Sequence, residues 1–157
     1  MKKYIGIDLG GTNVRVAKVT EDGTILAEVK RPSYALDGPE KVMENLISCI
    51  HSIEDWKECS GIGVGVPGPV DTLRGEMLMS TNLPGFTHYP IAHLLSSEFG
   101  LPTYVDNDAN VAGLAEALVG AGKGKPIVYY ITHSTGIGGG LVVNGQVVSG
   151  KNGHAGE

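Results

Sequence analysis

Asp8-Leu9-Gly10-Gly11-Thr12-Asn13 brings a carboxylate, a glycine pair and two hydrogen-bonding side chains together at the end of an apolar run. A glycine pair between two strands lets turn N–H groups point at an anion, and Thr12 and Asn13 add side-chain donors. Asp8 is suited to holding Mg²⁺ through water, since that ion keeps most of its hydration shell and takes only one or two carboxylates. Arg15 could steady a phosphate or the surrounding lobe. An ordinary hairpin turn would use the same residues, so this run alone leaves both readings open. Ser134-Thr135-Gly136-Ile137-Gly138-Gly139-Gly140 is a second candidate of the same kind, because successive glycines leave no side chain to obstruct a phosphate. Its plainer reading is a flexible loop, and two such runs in one chain support each other. Asn107-Asp108-Ala109-Asn110 lies where a strand gives way to a helix, the usual place for ligands in open α/β sheets. The helix macrodipole would keep Asp108 ionised and fit to take a proton from a substrate hydroxyl. Capping alone also favours Asp and Asn there.

Other patterns fail on inspection. Residues 63–68 satisfy G-x-G-x-x-G, but Pro67 interrupts the run and no helix follows, against a dinucleotide fingerprint. No G-x-x-x-x-G-K-[ST] run is present. The five histidines are scattered, and Cys49 and Cys59 make neither a disulfide framework nor a zinc site. Reduced thiols in a cytoplasmic protein are the expectation. Trp56, at the end of a helical pattern, reads as a packing residue.

The elements that must position these groups follow from periodicity. Residues 3–9, 12–20 and 24–30 read as three consecutive antiparallel strands. Pro39 opens a helix whose apolar positions, Val42, Met43, Leu46, Ile47, Ile50 and Ile53, run on to Trp56. A buried strand over 60–67, a helix over 90–99 closed by Gly100, a strand at 103–105 and a helix over 108–120 follow. The pattern then restarts: a strand over 126–132, a glycine turn over 135–140, and a hairpin signalled by Asn144-Gly145. This places a boundary in the glycine-rich segment 120–125, with one α/β lobe over 1–120 and the start of a second over 121–157.

Composition bounds the functional classes. Twelve Lys and Arg against 17 Asp and Glu give a net charge of −5, which argues against a nucleic-acid surface or a polybasic membrane anchor. No apolar run approaches the roughly 18 residues of a membrane span, and the start carries no signal-peptide core. Glycine, at 24 of 157 residues, is about double the ~7% of average usage, with no repeat period.

With these motifs in place, the sequence resembles the ROK family of sugar kinases and repressors. IGIDLGGTNVRVA at 5–17 is similar to the family's first phosphate motif and GVGVPGPVD at 63–71 to its next strand and loop. VDNDANVAGLAEALVGAGKG at 105–124 resembles its sugar and base segment, and 132–157 its second phosphate motif with the start of a glutamate-containing signature. The resemblance implies an actin-like, ribonuclease-H-like ATPase fold, with the first α/β lobe complete and the second ending after its first hairpin. It implies transfer of the γ-phosphoryl group of MgATP to a hexose, usually at the 6-hydroxyl, with Asp108 matching the general base and Asn107 its sugar-binding neighbour. Gly68, Thr81, Asn82, Gly85 and Glu157 match sugar-pocket positions. Asp8, Gly10, Gly11, Thr12 and Asn13, with Thr135, Gly136, Gly138 and Gly139, match the ATP-binding turns. Where many members carry glycine, this chain has Ser134. The family's zinc ligands lie beyond Glu157, so zinc is expected only in the full-length protein. The resemblance further implies a cytoplasmic homodimer with hexose and ATP as its partners, and a kinase inactive as this N-terminal portion alone. Two alternatives are a sugar-sensing transcriptional regulator, whose DNA-binding segment would have no room before Asp8, and an idle sugar-binding module.

Overall fold

The computed structural model describes residues 1–133, 136–151, 153 and 155–156. Ile5, Ile7 and Leu9 alternate along β1 (Lys3–Leu9) and are all buried, as period-two apolar patterning requires. β2 (Asn13–Thr20) returns antiparallel to β1, pairing Ile7 with Val16 and Leu9 with Val14, and β3 (Ile25–Pro32) returns antiparallel to β2. The chain then crosses the sheet as α1 (Pro39–His51), which buries Val42, Met43, Leu46, Cys49 and Ile50. β4 (Ile62–Val66) joins parallel to β1, placing Ile62 beside Ile5 and Val64 beside Ile7. A short hairpin, β5 (Val70–Asp71) and β6 (Glu76–Met77), precedes α2 (Ile91–Phe99). β7 (Thr103–Asn107) completes a five-stranded sheet in the order β3-β2-β1-β4-β7. This is the α/β lobe that the resemblance implies.

α1 is shorter than the apolar spacing suggests. Ser52 closes it through bonds to the carbonyls of Ser48 and Cys49, and Asp55 takes a left-handed backbone with φ 56°. The buried Lys18 ammonium donates to the Glu54 carbonyl at 2.5 Å, so a polar anchor from the sheet ends the helix early. Trp56 packs edge-on against Phe99, with ring centres 4.9 Å apart, the packing role expected of it.

The chain divides into two compact units, 1–106 and 107–157. In the second, α3 (Asp108–Leu118) packs on β8 (Ile127–His133) and β9 (Ile137–Val143), and β10 (Gln146–Val147) pairs with β9. The division therefore falls before α3 and not in the glycine-rich segment 120–125. That segment is fastened to the helix, with the Gly122 N–H on the Glu116 carbonyl at 2.9 Å and the Ala121 N–H on its carboxylate at 2.8 Å. The Asn144-Gly145 hairpin is present, with φ of 51° and 76° at the two turn residues. The expected glycine turn over 135–140 is a correction: residues from Ile137 onward are strand, with Gly138, Gly139 and Gly140 opposite Thr132, Ile131 and Tyr130. None of these glycines has positive φ; they serve close packing instead. No helix among the described residues is long and apolar enough to cross a membrane.

Candidate functional site

In the first unit, the turn between β1 and β2 is closed by the Gly10 N–H, which donates to the Asn13 carbonyl at 2.9 Å. The Thr12 carbonyl accepts from the Ser33 N–H at 2.9 Å, tying the end of β3 to the same turn. Gly10 thus spends its donor on the turn. Among the described residues, the N–H groups of Gly11 and Thr12 have no acceptor, and these are the donors left for an anion. Gly11 needs its missing side chain for a close approach: a Cβ there would lie 2.7 Å from the Asn82 carbonyl oxygen.

That contact brings the loop after β6 onto the turn. Leu83 and Phe86, both fully buried, anchor the loop in the core, which leaves Thr81, Asn82 and Gly85 exposed. Gly68, with φ 85°, lets the loop after β4 sit against the Met79 carbonyl, where a side chain would collide. So the first unit gathers Gly10 to Asn13, Gly68 and the 81–85 loop.

Two residues unmarked in the sequence join them. The hydroxyls of Ser33 and Ser80 are buried with no hydrogen-bond partner among the described residues, and Ser33 is bonded through its backbone to the turn. A buried hydroxyl without a partner costs free energy, so each is suited to a polar ligand or an ordered water. A lone serine has no pattern by which sequence reading could have singled it out.

Asp8 is exposed at the end of β1, with Arg15 and Gly65 as its cross-strand neighbours. One exposed carboxylate beside open N–H groups fits a magnesium ion that keeps its water shell. Among the described residues no three His, Cys, Asp or Glu side chains gather as metal ligands. Burial pushes the Cys49 and Cys59 thiols up, away from the thiolate form that zinc needs. These residues do not make a zinc site.

In the second unit, Asn107 is the N-cap of α3, its side-chain oxygen accepting from the Ala109 N–H at 3.0 Å. Asp108, the first helical residue, is exposed, and its Oδ1 accepts from the same N–H at 2.8 Å. Asn107 and Asp108 thus share the capping of this N–H. The carboxylate stands at the positive end of the helix, where the ionised form is favoured. Gly136 is exposed, while Gly138 and Gly139 lie within β9. Thr135 and Glu157 lie outside the described residues.

Residues 4–157 match the ROK family. The chain is 37% identical to the glucokinase of Thermotoga maritima over 96% of its own length and 48% of the relative's. It superimposes with a TM-score of 0.89 on the ROK glucokinase of Streptomyces griseus solved with glucose and AMPPNP, at 32% identity over 99% of this chain and 49% of that one. It is also 33% identical to a putative xylose repressor from a Caldicellulosiruptor species, over 98% of this chain and 39% of that relative. The chain thus spans about half the length of the glucokinases it matches.

Proposed function

From the premise that this chain belongs to the ROK family, we propose that it carries the hexose-binding and phosphate-binding share of an ATP-dependent hexose kinase. The observation that carries this reading is the convergence in the first unit. Among the described residues, the Gly11 and Thr12 N–H groups have no acceptor and Gly11 lies against Asn82 of the 81–85 loop, while the hydroxyls without a partner belong to Ser33, bonded through its N–H to the Thr12 carbonyl, and to Ser80, next in sequence to that loop. Anion donors and sugar-type hydrogen-bonding groups in one place suit a reaction between a phosphate ester and a polyol. The glucokinase relatives make glucose the first hexose to test.

In this reading, Asn107 and the residues at Gly68, Thr81, Asn82 and Gly85 bind the sugar, together with Glu157. Asp108 takes the proton of the 6-hydroxyl as its oxygen bonds to the γ-phosphorus and ADP departs. Gly11 and Thr12, with Gly10, Asn13, Thr135, Gly136, Gly138 and Gly139, hold the nucleotide phosphates. Magnesium, held through water by Asp8, would supply charge neutralisation on those phosphates. The base has little covalent work, because phosphoryl transfer depends chiefly on alignment and electrostatics. The same reading makes the protein cytoplasmic and homodimeric.

The xylose-repressor relative favours a second reading, in which the same residues sense a sugar without transferring phosphate. Calorimetric titration of the chain with glucose, N-acetylmannosamine, fructose and xylose tests the first step of both. Saturable binding of a hexose at one site, lost in Asn107→Ala, is expected. Preference for xylose over every hexose would favour the sensor, and no sugar binding at all would overturn both.

A further inference from the structure

β9 carries two adjacent glycines whose missing side chains face opposite ways, and each is occupied by a different piece of backbone. On one face, a Cβ at Gly140 would lie 2.5 Å from the Ala109 carbonyl oxygen and 3.1 Å from the Asn110 Cα. The first turn of α3, which begins at Asp108, therefore rests backbone-to-backbone on the strand. Gly113 continues this approach one turn on, where a Cβ would lie 3.2 Å from the Gly140 carbonyl oxygen. On the other face, a side chain at Gly139 would collide with the Gly156 carbonyl, and a Cβ at Gly156 would lie 2.5 Å from the Gly139 carbonyl oxygen. The Tyr129 hydroxyl, one strand over, donates to that same Gly156 carbonyl at 2.8 Å.

We propose that Gly139, Gly140 and Tyr129 are positioning residues, making β9 a two-sided platform that sets the base-bearing turn at Asp108 from one face and the backbone leading into Glu157 from the other. The proposal rests on the reading above, which assigns Asp108 as base and Glu157 as a sugar-binding residue. Strand alternation supplies the mechanism, since consecutive residues point to opposite faces and one rigid strand can fix two segments at once. Neighbouring backbone cannot move aside as a side-chain tip can, so even a methyl group at Gly140 must shift α3. Catalytic groups displaced by fractions of an ångström lose much of their effect. The sequence pattern suggests phosphate binding for this run; the packing gives it a second task that no glycine count distinguishes.

Two variants on the intact chain test this, read by hexose titration, AMPPNP titration and amide hydrogen exchange. Tyr129→Phe removes a single oxygen atom. It should weaken hexose binding at least fivefold and speed exchange at the Ala155 amide, which donates to the Ser149 carbonyl at 3.2 Å. AMPPNP affinity and melting temperature should stay unchanged, a separation that a merely structural tyrosine would not give. Gly140→Ala should speed exchange at the Ala109 amide and weaken hexose binding at least fivefold, since Asn107 leads into the same turn. Should Gly140→Ala fail to fold, Tyr129→Phe decides the matter. A wild-type chain that binds hexose, beside a Tyr129→Phe variant that binds it within twofold of wild type, overturns the platform and leaves the kinase reading standing. A wild-type chain that binds no hexose removes both.

Discussion

Asp108 carries the chemical claim at the residue scale, because its carboxylate is exposed at the positive end of α3. Asp108→Asn keeps the shape and can still accept from the Ala109 N–H, but it cannot take a proton. In a full-length context, hexose affinity should stay within a few-fold, while transfer from labelled ATP under single-turnover conditions falls by about 10²–10⁴, the range of general-base contributions. Transfer at the wild-type rate would make Asp108 a structural residue only. Gly11 makes a different claim. Gly11→Ala places a methyl group against the Asn82 carbonyl oxygen, so it should displace both the turn and the 81–85 loop and weaken AMPPNP and hexose together. Loss of one affinity alone would show that turn and loop are independent. Asp8, Gly10 to Asn13 and Asp108 stand out in the sequence as candidates because carboxylates and glycines at strand ends form a recognisable pattern. Ser33 and Ser80 were not, because whether a serine hydroxyl finds a partner depends on residues distant in the chain.

Among the elements, the strands were the plainest to read. Alternating apolar residues in β1 and β2 and the Asn-Gly turn before β10 each have one favoured geometry. The end of α1 and the glycine run in β9 differ from the sequence expectation for related reasons. Apolar spacing continues past Ser52, but the bond from Lys18 to the Glu54 carbonyl, a tertiary contact, stops the helix. Glycine composition shows that backbone must come close somewhere, but not which backbone arrives; in β9 it is α3 and the Gly156 segment. α1 also anchors the first sheet, since Leu46 is fully buried on its inner face. Leu46→Ala should destabilise the chain by about 2–5 kcal/mol, read from urea unfolding. A change under about 1 kcal/mol would mean that the α1 packing described here is absent in solution.

For the whole molecule, length is the governing fact, because the glucokinase relatives are about twice as long. Ile127 and Ile131 of β8 are about two-thirds exposed, on the same strand face where Gly156 meets Gly139 and Tyr129. Alignment supplies most of the rate in phosphoryl transfer, so residues 1–157 alone should release ADP far more slowly than Thermotoga maritima glucokinase assayed beside them. Turnover within tenfold of that enzyme would show that this half suffices. Binding should not depend on the missing rate, and a chain of 157 residues suits residue-by-residue observation by NMR. The decisive measurement is therefore amide chemical-shift mapping with glucose and, separately, with Mg-AMPPNP. Glucose should shift the amides of residues 81–85 and 107–109, and the nucleotide those of 10–13. Shifts confined to other surfaces, or none with either ligand at millimolar concentration, would contradict the assignment of these segments to a hexose kinase.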